Sequence, residues 1–452
     1  MPRLAPSLFR RAARIDPHLA TLLPACRTIE TARLELRWIR AHALDSSAAA
    51  APSLRGPADH VVARLVARRG AGEPLQYVLG TQPFGDLEIL CARGVLIPRP
   101  ETEAWASVLA DLVFPPPPSR RNRDRGDGKR EREDDDARGG GGGLRVLDLC
   151  SGTGCIGLSL FARGVSRGRR GEHRGGDDSR PPRVLGVDVE ARAVRLARKN
   201  LRHNLRGMRL PSGDDDDVTG EAVAFRQADI FADGWMAHLD DAARPREPGD
   251  GDGDGDGDEG DPSPRRRIDV LVSNPPYVSR RGFEVDTARC VRNHEPRLAL
   301  VPTRAPPPPV TTTTATARCA PEDVFYARLL DLADALRPRL AAFEVGDMDQ
   351  AVRVVEMAFA ARSATRRGLG LGLAATGGGD MSEPAVARWD VVEIWRDWPD
   401  CRPSCDEADV AYIGGREVPV RGSGHGRVVV LADDQTMRDQ FTNRGFKREF
   451  YK

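Results

Sequence analysis

Short apolar runs alternate with amphipathic segments from residue 95 to the end of the chain. This alternation is typical of α/β folds, in which helices connect the strands of a mostly parallel sheet. The last two runs have no clear helix between them, which predicts an antiparallel pair at one sheet edge. We therefore predict a doubly wound, Rossmann-like α/β fold with seven strands, and helices at 190–204 and 322–336. The predicted strands are 145–150, 184–188, 222–227, 268–273, 340–345, 391–395 and 428–431.

The first part of the chain has a different pattern, with apolar residues at helical spacing. Ile29, Ala32, Leu36 and Ile39 recur at intervals of three or four and therefore share one helix face. A second apolar group precedes Gly70, which can end a helix. We predict an N-terminal helical domain at 1–92 and a second domain at 93–452.

Several segments of the second domain interrupt the apolar pattern with proline, glycine and charged residues. Such segments bury too little apolar surface to offset the entropy lost on ordering, so we predict disordered, solvated insertions. The Gly-Asp repeat within one of them lacks the spacing of a calcium-binding loop, and we expect no metal there. The predicted insertions are 115–143, 164–182, 240–267, 303–320 and 362–382.

Composition and charge narrow the classes of function. The chain has 452 residues, with 68 Lys plus Arg against 67 Asp plus Glu, so no global field attracts nucleic acid or membrane. The apolar runs are shorter than the roughly 18 residues that a membrane span needs. The eight cysteines show no repeated CxxC spacing, which favours reduced thiols over disulfides or a zinc site.

The first 14 residues contain four arginines and no acidic residue. This composition is typical of mitochondrial presequences and predicts the mitochondrial matrix as the location. The alternative is that these residues form the first helix of a cytoplasmic protein's fold.

A glycine-rich turn follows the first predicted strand of the α/β domain. Asp148 is followed by Gly152, Gly154 and Gly157, and then by an apolar helix start. Glycines let the backbone approach a ligand closely, and a helix N-terminus offers free N–H groups. We predict a nucleoside-bearing cofactor at this turn. The glycine spacing also matches the dinucleotide fingerprint, so an NAD-dependent oxidoreductase stays open at this point.

Two further acidic residues follow the next two predicted strands. Asp188 is placed to accept hydrogen bonds from both ribose hydroxyls, and Asp229 to meet the exocyclic amine of an adenine. The alternatives are a helix N-cap for Asp188 and a turn residue for Asp229.

The motif Asn274-Pro275-Pro276-Tyr277 follows the predicted strand 268–273. An Asn oxygen and a proline-fixed carbonyl can each accept one hydrogen of a planar –NH2 group, while an aromatic ring stacks on its face. A methyl donor gives this motif and the glycine turn a common purpose, whereas a hydride carrier leaves the motif unused. We therefore predict S-adenosylmethionine-dependent methylation of an amide or an exocyclic amine.

Five segments together resemble the HemK/PrmC-type release factor glutamine methyltransferases. The resemblance implies a class I methyltransferase, of a mitochondrial eukaryotic type, that uses S-adenosylmethionine. It implies transfer to the N5 amide nitrogen of the glutamine in the Gly-Gly-Gln motif of a translation release factor, which the N-terminal helical domain docks. The segments are 73–80, 95–103, 148–154, 274–277 and 295–300.

The resemblance also implies residue roles. The substrate glutamine is expected to meet Asn274, Pro275, Pro276 and Tyr277. At Cys150 this chain departs from the family, which has a glycine there. Arg99 and Glu101, between the two predicted domains, are left with two readings: they position the substrate or the cofactor loop, or they form an ion pair that fixes the hinge. The residues expected to contact the cofactor are Cys150, Ser151, Gly152, Thr153, Gly154, Asp188, Ile230 and Asn274, with Asp148 and Asp229 beside them.

The runner-up activity is methylation of adenine N6 or guanine N2 in DNA or RNA, because other methyltransferases share the Asn-Pro-Pro-Tyr motif. Such an enzyme would need a basic cleft with aromatic platforms, and aromatic residues are only 5% of this chain. We therefore expect a protein substrate, the release factor free of the ribosome, with no direct nucleic-acid contact. We also expect a monomer.

Overall fold

A computed structural model describes residues 3–49, 58–114, 143–170, 181–205, 222–232, 234–236, 268–303, 319–368 and 389–432. Most of each predicted insertion lies outside them, so the disorder expected there is not tested. No helix within the described ranges is long and apolar enough to cross a membrane.

The N-terminal helices pack around one apolar core, as predicted. Ile29, Ala32, Leu36 and Ile39 are at most 4% exposed and lie in that core. The arginine-rich N-terminus forms the first helix, which is tied into the same core by Ala12. The helices are α1 (Pro6–Ile15), α2 (Pro17–Cys26), α3 (Ile29–Ala49), α4 (Ala58–Gly70) and α5 (Leu75–Leu79).

The prediction of an entirely helical block at 1–92 is wrong at its end. Strands β1 (Thr81–Phe84) and β2 (Leu87–Leu90) form an antiparallel hairpin there. Asn200 secures the hairpin to the second domain, since its side chain accepts from the Leu90 N–H at 2.6 Å and donates to the Leu90 carbonyl at 3.3 Å. Runs of four residues are too short to show a clear period of two, which is why the hairpin was missed.

A nine-stranded mixed sheet, in the order β5-β4-β3-β6-β7-β11-β8-β10-β9, forms the second domain. The strands from β5 to β7 are parallel, and β11 pairs antiparallel with both β7 and β8. All seven predicted strands are present. The strands are β3 (Arg145–Leu149), β4 (Arg183–Asp188), β5 (Val223–Gln227), β6 (Val270–Ser273), β7 (Leu340–Glu344), β8 (Val391–Trp398), β9 (Val410–Ile413), β10 (Arg416–Arg421) and β11 (Ser423–Ala432).

The predicted sheet edge needs correction. The β8–β11 pair is antiparallel as expected, but β10 and β9 continue the sheet beyond it. These two strands were missed because Pro419 interrupts β10 and because β9 spans only four residues.

Helices cover both faces of the sheet. One apolar cluster joins α6, α7 and α8 to the strands, and a second joins α11 and α12 to the opposite face. Strand order reverses between β3 and β6, and ligands bind open α/β sheets at the carboxyl ends of such strands. The helices are α6 (Pro100–Val113), α7 (Cys155–Arg170), α8 (Ala191–Leu205), α9 (Arg280–Val285), α10 (Arg289–His294), α11 (Val324–Leu336) and α12 (Met348–Gly368).

Two predicted insertions begin later than expected, because α7 continues to Arg170 and α12 to Gly368. One of these insertions was predicted to begin at Gly164. In the structure a Cβ at this position would lie 2.5 Å from Pro182, so the glycine permits close packing inside a continuing helix.

Candidate cofactor and substrate site

A cavity of about 700 Å³ opens at the carboxyl ends of β3, β4 and β6, where the strand order reverses. Its volume lies within the usual range for small-molecule and cofactor sites. Most of the predicted site residues meet here. Those that line the cavity are Cys150, Ser151, Gly152, Thr153, Asp188, Asp229, Ile230, Asn274 and Pro276; Asp148, Gly154, Pro275 and Tyr277 do not line it.

The glycine turn has left-handed backbone at three positions. Cys150 has φ of 59°, Gly152 of 54° and Gly154 of 79°. A non-glycine residue in this conformation carries a cost of roughly 1–2 kcal/mol, which explains why a glycine is expected at position 150. Burial raises the pKa of the Cys150 thiol, so it stays neutral rather than becoming a nucleophile.

Gly152 and Gly154 have different neighbours. A Cβ on Gly152 would meet no heavy atom within 4 Å and would project into the cavity. A Cβ on Gly154 would lie 2.7 Å from the Phe225 ring and 3.1 Å from Ala197. The first glycine therefore leaves room for a ligand, and the second allows the turn to pack on β5 and α8.

Alanine substitutions at the two glycines should separate ligand binding from stability. Both substitutions introduce a similar backbone strain, because both glycines have positive φ. Gly154→Ala should lower the free energy of unfolding by a further 1–3 kcal/mol or so through overpacking. Gly152→Ala should mainly weaken cofactor affinity. Thermal unfolding and calorimetry test this; equal stability losses in the two variants would contradict it.

Asp188 lies at the end of β4 and links the turn to the cavity. Its Oδ2 accepts from the Gly152 N–H at 2.8 Å and its Oδ1 from the Glu190 N–H at 2.9 Å. Burial raises its pKa, while these two backbone hydrogen bonds lower it. Each carboxylate oxygen keeps lone-pair capacity for a further donor, so the side chain suits a ribose diol.

Asp229 and Ile230 form an adjacent wall of the cavity. The Asp229 Oδ1 accepts from the Phe231 N–H at 3.0 Å, which is a turn contact, yet the residue also lines the cavity. Phe231 and Phe325 line the same wall, with ring centroids 5.0 Å apart. An apolar wall beside a carboxylate suits a planar base that carries an amine. Sequence reasoning missed both phenylalanines.

Asp148 lies behind the turn and is fully buried. Its Oδ2 accepts from the Gly157 N–H at 3.0 Å, whereas its Oδ1 has no hydrogen-bond partner among the described residues. Burial is the main cause that raises the pKa of Asp148 to about 7. Its contact with a cofactor stays a prediction, since it does not reach the cavity in this structure.

Asp148 should make stability depend on pH. Its folded-state pKa lies above the ordinary 3.8, so its contribution to stability is full below pH 3.8 and is lost as pH rises through about 7. As pH rises through this window, we expect the free energy of unfolding of the wild type to fall relative to that of Asp148→Asn, by roughly a few kcal/mol at most. Denaturant titrations without cofactor measure this, with the exposed Asp86→Asn as control. A pH-independent difference would contradict it.

The Asn274–Tyr277 motif meets a buried carboxylate that sequence analysis did not identify. The Asn274 Nδ2 donates to the Thr102 Oγ1 at 3.3 Å. The Tyr277 hydroxyl donates to the Glu344 Oε1 at 3.2 Å. Within the described residues the Pro275 carbonyl accepts no hydrogen bond, so it remains available to a substrate.

Two other motifs converge on this one. Glu295, 6% exposed, accepts from the Ile97 N–H at 3.1 Å and from Arg99 at 2.8 Å. The Leu300 carbonyl accepts from the Val278 N–H at 2.8 Å. Residues 295–300 therefore connect the segment 95–103, between the two domains, to the residues that follow Tyr277. Arg99 therefore forms an ion pair, with Glu295 as its partner, and it also lines the cavity, so both of its readings stay open.

The cavity fits S-adenosylmethionine by several independent features. The open space beside Gly152 allows close approach, Asp188 suits the ribose, and the apolar wall suits adenine. The Ser151 Oγ is buried and has no partner among the described residues, so it can serve a polar group of the ligand. A nicotinamide dinucleotide would leave the Asn274 motif without a role.

Comparison with known proteins gives the family. The chain is 30% identical over 302 residues to the mitochondrial MRF1 N(5)-glutamine methyltransferase MTQ1 of Saccharomyces cerevisiae, covering 67% of this chain and 68% of that protein. It is 28% identical over 234 residues to a probable MRF1 mitochondrial N(5)-glutamine methyltransferase of Schizosaccharomyces pombe, covering 52% and 53%. The release factor glutamine methyltransferase of Mycolicibacterium smegmatis matches at 27% over 302 residues, covering 65% and 74%.

No family model matches the chain. The N-terminal domain of human METTL16 in complex with SAH aligns at 12% identity and a TM-score of 0.34, over 81% of this chain and 82% of that one. A TM-score of 0.34 is too low to support any conclusion about this chain beyond the fold described above.

The fold and the cavity define a class I methyltransferase that uses S-adenosylmethionine. Together with the relatives, they place the chain in the release factor N5-glutamine methyltransferase family, to which it belongs. The alternative of base methylation in DNA or RNA is not favoured by these relatives.

Proposed function

We propose that the protein methylates the N5 amide nitrogen of the glutamine in the Gly-Gly-Gln motif of a mitochondrial release factor. The observation that carries the proposal is a pair of neighbouring acceptors: the Asn274 amide oxygen at the cavity, and the adjacent Pro275 carbonyl, which accepts no hydrogen bond within the described residues. The yeast relatives named as MRF1 methyltransferases support the choice of factor and of the mitochondrial matrix.

The chemistry requires precise positioning because an amide nitrogen is a poor nucleophile. S-adenosylmethionine supplies an electrophilic methyl group on a sulfonium. Asn274 and the Pro275 carbonyl accept the two amide hydrogens, and Tyr277 packs beside the amide plane, so that the nitrogen lone pair points toward the methyl group. When bound, the cofactor would supply this methyl group to the amide nitrogen: the N–C bond would form as the C–S bond breaks, the electron pair would stay on sulfur, and nitrogen would then release a proton to water.

Positioning can supply much of the rate. Preorganised reactants gain roughly 7–11 kcal/mol over free ones. Asn274 and Pro275 lie on a loop that follows directly from the central strand β6 and is secured at Val278 and Tyr277. Acceptors held in this way also stabilise the positive charge that develops on nitrogen.

The N-terminal helical domain is proposed to dock the release factor. Leu34 and Trp38 lie four residues apart on α3, so they share a face, and they are 43% and 50% exposed. Exposed tryptophan is enriched at protein interfaces. The protein is proposed to act as a monomer on a factor free of the ribosome, without direct nucleic-acid contact.

A labelling assay tests the proposed function. The protein is incubated with methyl-labelled S-adenosylmethionine and with a mitochondrial release factor, its Gln→Ala variant, a peptide of its Gly-Gly-Gln loop, or RNA and DNA. We expect label in the wild-type factor, little in the peptide if the helical domain docks the factor, and none in the variant. Label in nucleic acid instead would overturn the proposal.

A further inference from the structure

Glu344, at the end of β7, lies behind the substrate motif and is 1% exposed. Its Oε2 accepts from the Thr102 hydroxyl at 2.7 Å and from the Trp105 indole at 2.8 Å. Its Oε1 accepts from Tyr277 at 3.2 Å. All three donors are neutral. Among the described residues no cation forms an ion pair with Glu344, although Arg427 lies close enough for its charge to favour the ionised form. A buried carboxylate held mainly by neutral donors is costly, so we expect it to have a role beyond stability.

The hydrogen of the Thr102 hydroxyl is committed to Glu344. A hydroxyl has a single hydrogen, and an ionised carboxylate can only accept, so the Thr102 hydrogen lies on the bond to the Glu344 Oε2. Thr102 can therefore offer only lone pairs to its other neighbour. That neighbour is Asn274, whose side chain lies 3.3 Å away.

The orientation of the Asn274 amide follows from the hydrogen bonds that link Glu344, Thr102 and Asn274. An asparagine side chain has nearly the same shape after a 180° flip, so packing alone does not choose between its two ends. Because Thr102 only accepts here, Asn274 must turn its –NH2 toward Thr102. Its Oδ1 is then left to face outward as an acceptor.

We infer that Glu344 and Thr102 are positioning residues that fix the Asn274 amide with its oxygen toward the substrate –NH2. The inference rests on the proposed function. The same carboxylate holds the Tyr277 hydroxyl, so one buried group positions both ends of the Asn274–Tyr277 motif. It also gives the Thr102 position of the segment 95–103 a specific role.

Thr102→Val is the direct test, because valine keeps the shape and removes the hydroxyl. With release factor as substrate, kcat should fall roughly tenfold or more while cofactor affinity changes little, and the loss of a hydrogen bond to a buried carboxylate should also lower Tm. Thr102→Ser, which keeps a hydroxyl, should retain most of the activity. Glu344→Gln, which can accept at only one of its two ends, should also lower kcat.

A double-mutant cycle distinguishes positioning from a merely structural role. In an Asn274→Ala background, Thr102→Val should cause little further loss, since its effect passes through Asn274. Additive losses, or full activity of Thr102→Val, would overturn the inference. If Thr102→Val does not fold, the same cycle with Glu344→Gln decides.

A readout without substrate separates this inference from the proposed function. NMR of the Asn274 side-chain amide should show slow hydrogen exchange in wild type and in Thr102→Ser, and faster exchange in Thr102→Val. Slow exchange together with no methylation of any release factor would reject the proposed function and keep the hydrogen-bond chain. Equal exchange rates of the Asn274 amide in all three proteins would reject the proposed hydrogen bonds from Glu344 through Thr102 to Asn274, whatever the substrate.

Discussion

Asn274→Ala is expected to lower kcat for release-factor methylation by about 10²- to 10³-fold, which corresponds to about 2.7–4 kcal/mol for one lost preorganised partner. The Asn274 side chain lies at the cavity, and Thr102 holds its amide nitrogen at 3.3 Å. Removing it leaves one hydrogen of the substrate –NH2 without an acceptor and frees the nitrogen to rotate. Single-turnover kinetics with saturating cofactor measure the effect on the chemical step.

The control is Asn293→Ala, which removes an exposed asparagine from α10. It should keep wild-type kcat, so a general effect of Asn→Ala substitution can be set aside. Thermal unfolding of both variants checks the fold. An Asn274→Ala protein that folds and turns over near the wild-type rate would remove Asn274 from the mechanism.

Asp188→Ala is expected to weaken S-adenosylmethionine binding by roughly 10- to 150-fold, because hydrogen bonds to a charged group contribute about 1.5–3 kcal/mol. Two effects contribute to this loss. The ribose hydroxyls lose their acceptor, and the Gly152 N–H loses the Oδ2 atom that holds it at 2.8 Å. Asp188→Asn keeps one acceptor oxygen and should fall between wild type and alanine.

Asp86→Ala is the matched control, since Asp86 is exposed in the turn of the β1–β2 hairpin. Isothermal titration with S-adenosylmethionine should give it wild-type affinity. If folded Asp188→Ala also bound the cofactor with unchanged affinity, the ribose role of Asp188 would have to be abandoned.

The parallel half of the sheet could be predicted because its strands are nearly continuous apolar runs. Strands β3, β6 and β7 are buried on both faces, and such strands stand out from the amphipathic helices beside them. The edge could not be predicted in the same way. Strand β10 contains Pro419, and a proline within an apolar run argues against a strand unless the strand lies near a sheet edge.

The candidate site was predictable where its residues form local motifs. Asn274 and the glycine turn each signal their chemistry within a few neighbours, and Asp188 follows from its place at a strand end. Glu344 gave no such signal. Its partner Thr102 is 242 residues away in the chain, and only the fold brings the two within 2.7 Å.

The most direct test of the proposed activity is chemical identification of the methylated atom. Wild-type release factor is labelled with methyl-labelled cofactor, digested, and the labelled peptide is hydrolysed in acid. An N5-methylated glutamine yields glutamate and volatile methylamine, so we expect label in methylamine from the Gly-Gly-Gln peptide. Label that stays on a non-volatile amino acid, or that is released as methanol in mild base, would contradict methylation of the amide nitrogen.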